Sequence, residues 1–228
     1  MLKNLSPSAR TWLRFSIPFL LIPICLFIGF TVLDERQHLF LSLTVATLSV
    51  LLFLTGIESK TVGTRRMVIV SVMTALCIVG RFIPLFKPIT ALTVMTALYL
   101  GPESGFLVGA MASLLSNFYF GQGPWTPFQM LAWGLIGLFA GYLASPLRKN
   151  RVALLLYGVV SGLLFSLVMD VFTVLWYNES LSASAYMAAM VTALPHTLLY
   201  TVSNAAYLLL LAKPLGDKLG RIQIKYGI

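Results

Sequence analysis

Residues 101–143 read GPESGFLVGAMASLLSNFYFGQGPWTPFQMLAWGLIGLFAGYL. Two apolar runs flank a short insert, NFYFGQGPWTPFQ, that is rich in aromatic, amide, proline and glycine residues. Small residues recur at every fourth position of the first run, at Gly101, Gly105, Gly109 and Ser113, so on a helix they share one face. The second run contains Gly134, Gly137 and Gly141. Because small residues allow membrane helices to approach closely, the stretch predicts two tightly packed helices joined by an ordered loop at one membrane surface.

The composition is typical of an integral membrane protein. Of the 228 residues, 58% are hydrophobic and only 10% are charged, whereas a soluble domain carries about 25% charged residues. The net charge of +9 is distributed between apolar runs instead of forming one basic face, which argues against nucleic-acid binding. Cys25 and Cys77 lie in apolar runs without a histidine cluster, so we interpret them as buried apolar side chains.

Eight apolar segments predict membrane helices, since a spanning helix needs about 20 apolar residues. They are Phe15–Leu33, Leu39–Ile57, Met67–Ile83, Ile89–Leu100, Gly105–Phe118, Phe128–Ala144, Val152–Trp176 and Ala185–Leu211. The fourth and fifth are short and require packing inside the bundle or a thinner bilayer. The fold class that follows is an all-α integral membrane protein with about eight transmembrane segments.

The basic residues indicate the orientation of the chain. With the N-terminus in the cytoplasm, 13 of the 16 lysines and arginines fall in cytoplasmic segments, and only Arg36, Arg81 and Lys87 fall in outside loops. This bias follows the positive-inside rule. We therefore expect both termini in the cytoplasm, the plasma membrane as the location, and the insert facing outside.

A polar segment, Glu58–Arg66, divides the chain into two parts. Residues 1–60 are predicted to form an N-terminal transmembrane helical hairpin, and residues 61–228 a core of six helices. The sequence has no internal repeat, in contrast to secondary carriers that are built from duplicated halves.

The outside loops combine aromatic and amide side chains with few charges. Such a set suits a large, flat, mostly neutral ligand, although aromatic residues also collect at membrane interfaces as anchors. We favour binding for the insert, because its prolines and glycines fix a shape that anchoring does not require. The predicted ligand-binding residues are Asn117, Tyr119, Gln122, Trp125, Phe128, Gln129, Trp133, Asp170 and Trp176. Further outside-facing residues are Arg81, Phe82, Pro84, Phe86, Lys87, Tyr177, Asn178 and Glu179.

Asp170 lies inside an apolar run, where an ionisable group is costly enough to indicate function. Two interpretations stay open: contact with ligand or a polar network with Asn117, and a buried hydrogen-bonded group. His196 follows Pro195 and has no second histidine nearby in the sequence, so a zinc site is not expected. We interpret His196 as a polar residue in a helix kinked by proline, and Asn204 as an interhelical hydrogen-bonding group.

Motifs of known enzymes are absent: the sequence has no HExxH, GxSxG or Walker sequence. We therefore predict no catalytic residue, no metal and no cofactor, and a transport role that depends on partner chains. One alternative is an intramembrane enzyme acting on a lipid or isoprenoid, with Asp170 and His196 as an acid–base pair. Another is a structural subunit of a membrane assembly that binds no ligand.

Two stretches resemble the S components of energy-coupling factor (ECF) transporters. Residues 101–143 resemble their third and fourth core helices, and TRRMVIVSVMTALCIVGRFIP, residues 64–84, resembles their first. The resemblance covers about Thr61 to Lys213 and is most specific at GPWTPFQM, residues 123–130. It implies a six-helix subunit that binds a vitamin or metal from outside and associates with a membrane coupling protein and two cytosolic ATPases. It also implies that the subunit topples in the membrane to carry its ligand inward.

The resemblance extends to the coupling interface and the ligand. S components typically present an AxxxA motif of the first core helix to the coupling protein, and Ser71 and Ala75 stand at those positions here. The extra hairpin and the GPWTPFQ loop are similar to S components assigned to cobalamin, and an amide-rich corrinoid suits the predicted residues. We therefore predict cobalamin or cobinamide as the transported ligand. Riboflavin, a queuosine precursor or a thiamin precursor are the alternatives; without histidines in the insert, nickel and cobalt ions are not expected.

Overall fold

The structure is a computed structural model that describes residues 6–32, 38–57, 60–178 and 182–227. Arg36, Glu58 and Glu179, which were named in the sequence analysis, lie outside the described residues, as does the side chain of Asn178. The described ranges are helical, without a strand. The helices are α1 (Pro7–Ser16), α2 (Ile22–Val32), α3 (His38–Thr55), α4 (Lys60–Gly80), α5 (Ile89–Leu100), α6 (Pro102–Phe120), α7 (Thr126–Tyr142), α8 (Ala144–Lys149), α9 (Arg151–Asn178) and α10 (Ala183–Tyr226). A π-helical segment, Ile17–Leu21, joins α1 to α2.

The predicted all-α membrane fold is confirmed. Each of the eight predicted segments lies along a described helix, the first along α1, the π-helical segment and α2 together. Within the described ranges, five stretches of helix are long and apolar enough to cross a membrane: Pro7–Gly29, His38–Thr55, Gly63–Gly80, Arg151–Tyr177 and Ala183–Tyr226. The protein is therefore a multi-pass membrane protein.

The last helix is longer than predicted. We placed its end near Leu211, but α10 continues to Tyr226 and contains both Pro195 and Pro214. The reason is packing against α5: Gly216 and Leu219 are buried, and a Cβ atom at Gly216 would lie 2.6 Å from the Tyr99 hydroxyl oxygen. Tertiary contact thus stabilises helix where the charged sequence indicated an end.

The pair α6–α7 packs backbone against backbone, as the spacing of small residues predicts. A Cβ atom at Gly109 would lie 2.4 Å from the carbonyl oxygen of Trp133, and one at Gly137 would lie 2.4 Å from the carbonyl oxygen of Gly105. No side chain fits at these positions, so the two helices approach more closely than ordinary helices do.

The short helix α5 occupies the centre of the bundle, and nearly all its residues are buried. The loop 81–88 that precedes it is held against α10. The backbone N–H of Lys87 donates to Ser203 Oγ at 3.1 Å, and the Tyr207 hydroxyl donates to the carbonyl oxygen of Phe86 at 3.2 Å. Cys77 of α4 is buried below this loop, whereas Cys25 is only partly buried, which corrects our prediction for that residue.

The N-terminal hairpin packs directly on the six-helix core. One cluster of buried apolar residues joins the hairpin to the core, including Ile22 and Leu52 from the hairpin and Phe106 from α6. At the opposite end of the bundle from the loop 81–88, Arg14 forms an ion pair with Glu103 of α6 at 3.0 Å. The division of the chain at residue 60 as a domain boundary stays a prediction.

Candidate ligand-binding site

A network of amides lies where α6 meets α7. Asn117 is 1% exposed, and its amide nitrogen donates to Thr126 Oγ1 at 2.8 Å and to Gln129 Oε1 at 2.9 Å. Thr126 donates in turn to Gln122 Oε1 at 3.0 Å, and Gln122 Nε2 donates to the carbonyl oxygen of Leu114 at 2.9 Å. The structure therefore brings the three predicted amides together, and it uses both N–H groups of Asn117 inside the protein.

Arg81 completes this network just beyond the end of α4. Its side chain is buried, and Nη1 donates to Asn117 Oδ1 at 2.7 Å and to Ser116 Oγ. The guanidinium carbon lies 4.9 Å from the centre of the Phe120 ring and 5.6 Å from the ring of Trp133, which are cation–π contacts. Burial lowers the pKa of Arg81, but a guanidinium keeps its proton in proteins. The site thus contains a buried cation held by hydroxyl, amide and ring groups.

A row of aromatic rings leads from Arg81 into the space between α9 and α10. The ring centres of Trp133 and Phe165 are 4.6 Å apart, and those of Phe165 and Tyr200 are 4.9 Å apart with an interplanar angle of 23°. The ring of His196 follows at 5.7 Å from Tyr200. Trp133 itself is 1% exposed and donates from Nε1 to Thr90 Oγ1 at 3.2 Å. Trp133 therefore packs against the buried end of this row and does not line an open cavity.

An open cleft of about 310 Å³ begins where this row ends. Its walls come from α9 and α10 alone, which pack as an antiparallel pair. The lining residues are Phe165, Ser166, Met169, Asp170, Thr173, Ala189, Thr192, Ala193, His196, Thr197 and Tyr200. The cleft therefore combines two aromatic side chains, Phe165 and Tyr200, with an imidazole, a carboxylate and several hydroxyls.

Of the nine predicted ligand-binding residues, Asp170 alone lines this cleft. Phe128 packs on Phe172 with ring centres 5.5 Å apart, and Phe172 stacks on Trp176 at 6.0 Å. Tyr119 is 72% exposed and contacts Phe82 with ring centres 4.7 Å apart. The predicted link between Asp170 and Asn117 does not occur among the hydrogen bonds of the described residues.

Trp125 covers the backbone of the insert. A Cβ atom at Gly123 would lie 2.3 Å from its indole ring, so only glycine allows this contact, and the indole is still 37% exposed. The predicted interhelical role of Asn204 is confirmed, since its amide nitrogen donates to the carbonyl oxygen of Gly158 in α9 at 3.3 Å.

Sequence reasoning missed most of the cleft. Phe165, Tyr200 and the neighbouring hydroxyls were not singled out, and His196 was interpreted as a structural residue. A signal was present: Phe165, Met169 and Thr173 recur with helical spacing, and so do Thr192, His196 and Tyr200. Residues three and four apart share a helix face, but the sequence does not show that the two faces meet.

The predicted coupling residues lie on an open helix face. Ser71 and Ala75 of α4 are both exposed, in a row with Val68, Val72 and Val79, which are 59%, 53% and 66% exposed. This face of α4 is exposed in the described part of the chain and is available to lipid or to another membrane protein.

Comparison with known proteins identifies a matching family. The family model described as "ECF-type riboflavin transporter, S component" matches residues 61–221. No curated protein and no solved structure matches the chain. The matched residues cover nearly all of the six-helix core, including the insert, α9, most of α10 and the exposed face of α4. Members are substrate-binding transport subunits and not enzymes, and membership implies a coupling protein, ATPases and a small-molecule ligand as partners. The chain belongs to the family of ECF-type riboflavin transporter S components.

Proposed function

We propose that this chain binds a flat heteroaromatic vitamin of the flavin class in the α9–α10 cleft and delivers it to an ECF-type importer. The observation that carries the proposal is the aromatic part of the cleft lining, where the rings of Phe165 and Tyr200 stack with their centres 4.9 Å apart. Aromatic faces of this kind stack on flat ring systems. The description of the matching family, which names riboflavin, supports the same ligand class.

The size of the cleft also favours a flavin over a corrinoid. A volume of about 310 Å³ is at the lower end of the range of about 300–1,000 Å³ for small-molecule sites. A corrinoid is several times larger than a flavin and would extend well beyond these walls. Our prediction of cobalamin depended on amides that would face the ligand, whereas Asn117 uses its N–H groups on Thr126 and Gln129. Cobalamin therefore enters the test as the competing ligand.

The test is a calorimetric titration of the purified protein in detergent with riboflavin and, separately, with cobalamin. We expect saturable binding of riboflavin near one to one, and weak or no binding of cobalamin. Phe165→Ala should weaken riboflavin binding by about tenfold or more, because a stacked aromatic contact is lost. Tight cobalamin binding without riboflavin binding would reverse the assignment of the ligand.

A matched control uses an aromatic residue of similar depth outside the cleft. Phe172 contacts Phe128 and Trp176 but does not line the cleft. Phe172→Leu should leave riboflavin affinity within about twofold of the parent protein, since it keeps an apolar side chain at a position that the ligand does not reach. Equal weakening by both variants would place the ligand elsewhere.

We further propose that the cleft faces outside and that the exposed face of α4 around Ser71 and Ala75 contacts the coupling protein in the plasma membrane. The bias of basic residues supports the orientation. The open row of small and apolar side chains on α4 supports the contact, because small residues allow close helix approach in a membrane.

A further inference from the structure

Asp170 is a buried carboxylate that the protein leaves without a hydrogen-bond donor. It is 4% exposed and lines the cleft. Among the described residues no hydrogen bond or ion pair reaches its carboxylate. A buried polar group without a partner costs about 1–3 kcal/mol, and more when it is charged. A ligand in the cleft is therefore the molecule positioned to donate a hydrogen bond to Asp170.

The neighbouring donors are committed elsewhere. The hydroxyl of Thr173 donates to the carbonyl oxygen of Met169 at 3.0 Å, and that of Thr192 to the carbonyl oxygen of Ala189 at 2.9 Å. Tyr186, which lies near Asp170, donates to the carbonyl oxygen of Leu167 at 3.1 Å. Since these protons satisfy helix carbonyls, they are not available to the carboxylate.

His196 is the complementary group on the facing helix. It is exposed at the wall of the cleft, and its described contact is the ring of Tyr200. No protein hydrogen bond to its imidazole occurs in the described part of the chain. A neutral imidazole donates from one nitrogen and accepts at the other. The cleft therefore offers an acceptor on α9 and a donor on α10, both unused by the protein.

We propose that Asp170 and His196 recognise an adjacent donor and acceptor on the ligand, the N–H and C=O of an imide or lactam ring edge. Asp170 accepts from the ring N–H, and His196 donates to the neighbouring carbonyl oxygen. The pyrimidinedione edge of a flavin has this pattern, so the proposal rests on the proposed function and deepens it. The carboxylate also repels carboxylate or phosphate groups at this end of the cleft, which restricts the ligand to one with a neutral edge here.

The test compares three ligands by calorimetry: riboflavin, riboflavin methylated on the imide nitrogen, and lumiflavin, which lacks the ribityl chain. We expect methylation to weaken binding to the parent protein by about 10- to 100-fold, since a hydrogen bond to a charged group is lost. In Asp170→Ala, riboflavin should bind about as weakly as the methylated flavin does, and the two ligands should differ by less than about threefold. The ratio of lumiflavin to riboflavin affinity should be the same in both proteins.

Phe172→Leu is the matched control, because Phe172 lies two residues after Asp170 on α9 but does not line the cleft. This variant should bind riboflavin more tightly than the methylated flavin by the same factor as the parent protein does. His196→Phe preserves a ring but removes the donor, so it should weaken riboflavin and the methylated flavin by the same factor.

The outcomes separate this proposal from the proposed function. If riboflavin binds but Asp170→Ala retains the discrimination against the methylated flavin, the edge recognition is wrong and the flavin site stands. If His196→Phe leaves both affinities unchanged, the role of His196 is wrong. If folded parent protein binds no flavin at all, both the ligand class and the edge recognition fall.

Discussion

Arg81 carries a buried positive charge that no carboxylate balances among the described residues. Its guanidinium is held by Ser116, Asn117 and the faces of Phe120 and Trp133. Such an arrangement is stable only while each polar partner is satisfied, because desolvating a charge is costly. Arg81 therefore joins three helices at the point where the aromatic row begins.

Arg81→Met should lower the apparent melting temperature of the protein in detergent. The change removes the donor to Asn117 Oδ1 and leaves that buried oxygen unpaired, which costs about 1–3 kcal/mol. Arg151→Met is the control, since exposed Arg151 contributes only a long contact of 3.4 Å to the Leu209 carbonyl oxygen. Equal melting temperatures for the two variants would contradict a structural role for Arg81.

Lys87 gives a pH-dependent contribution to stability. Burial and the nearby charge of Arg81 lower the pKa of Lys87 from its ordinary value of 10.5. The folded protein thus binds this proton less readily than the unfolded chain. The loss of folding stability caused by burying the protonated amine is fully present below the lowered pKa. It disappears as pH rises from that value to about 10.5.

The difference in melting temperature between the parent protein and Lys87→Met should therefore shift in favour of the parent as pH rises from neutral into this alkaline window. Melting curves of the parent and of Lys87→Met at several pH values measure this difference. Lys218→Met is the control, because Lys218 is exposed. A parent-minus-variant difference that stays constant with pH, or that moves the other way, would show that Lys87 is not perturbed.

At the element scale, the seam between α6 and α7 depends on the absence of side chains. Gly109→Ala should destabilise the protein by about 1–3 kcal/mol, because its Cβ would lie 2.4 Å from a backbone oxygen that cannot move freely. Gly220→Ala is the matched control: its Cβ would meet only Tyr99 at an ordinary 3.5 Å, and alanine favours helix. The check is the melting temperature of both variants; a milder effect at Gly109 than at Gly220 would contradict the close seam.

Helix α4 carries the prediction on coupling. Ala75→Leu should prevent assembly with the coupling protein, because bulk on a small-residue face blocks close helix approach, and it should leave riboflavin affinity unchanged. Val160→Phe adds similar bulk on the exposed face of α9, where Val160 is 55% exposed, and should assemble normally. Co-purification with the coupling protein measures both. Normal assembly of Ala75→Leu would remove this face of α4 from the interface.

The helices were predictable from the sequence, and the cleft was not. Apolar runs mark each spanning helix, and the glycine spacing in α6 indicates its partner face, since both signals are local. The end of α10 was missed because its stability comes from Tyr99, more than a hundred residues earlier. The same limit applies to the site: Asn117 was predicted to face a ligand, but its pairing with Arg81 and Gln129 depends on three helices meeting.

At the scale of the whole molecule, the hairpin and the core form one packed body. Removal of residues 1–60 should lower the melting temperature and promote aggregation in detergent, because it exposes the apolar core surface around Phe106 that the hairpin covers and removes the ion pair of Arg14 with Glu103. Size-exclusion chromatography and melting curves of residues 61–228 measure this. The cleft is lined by α9 and α10 only, so riboflavin affinity of the folded fraction should persist. An equally stable, monodisperse core would make the hairpin a dispensable addition.

Helix α10 runs for 44 residues, which corresponds to about 66 Å at the usual helical rise. Near one end it carries His196 and Tyr200 of the cleft, and at the other the carbonyl oxygen of Tyr226 accepts from Arg65 of α4 at 3.0 Å. If the cleft binds the vitamin as proposed, a small tilt of α10 there would displace its far end sideways, against the helix that presents Ser71 and Ala75. The length of α10 would then connect occupancy of the cleft to the proposed docking surface.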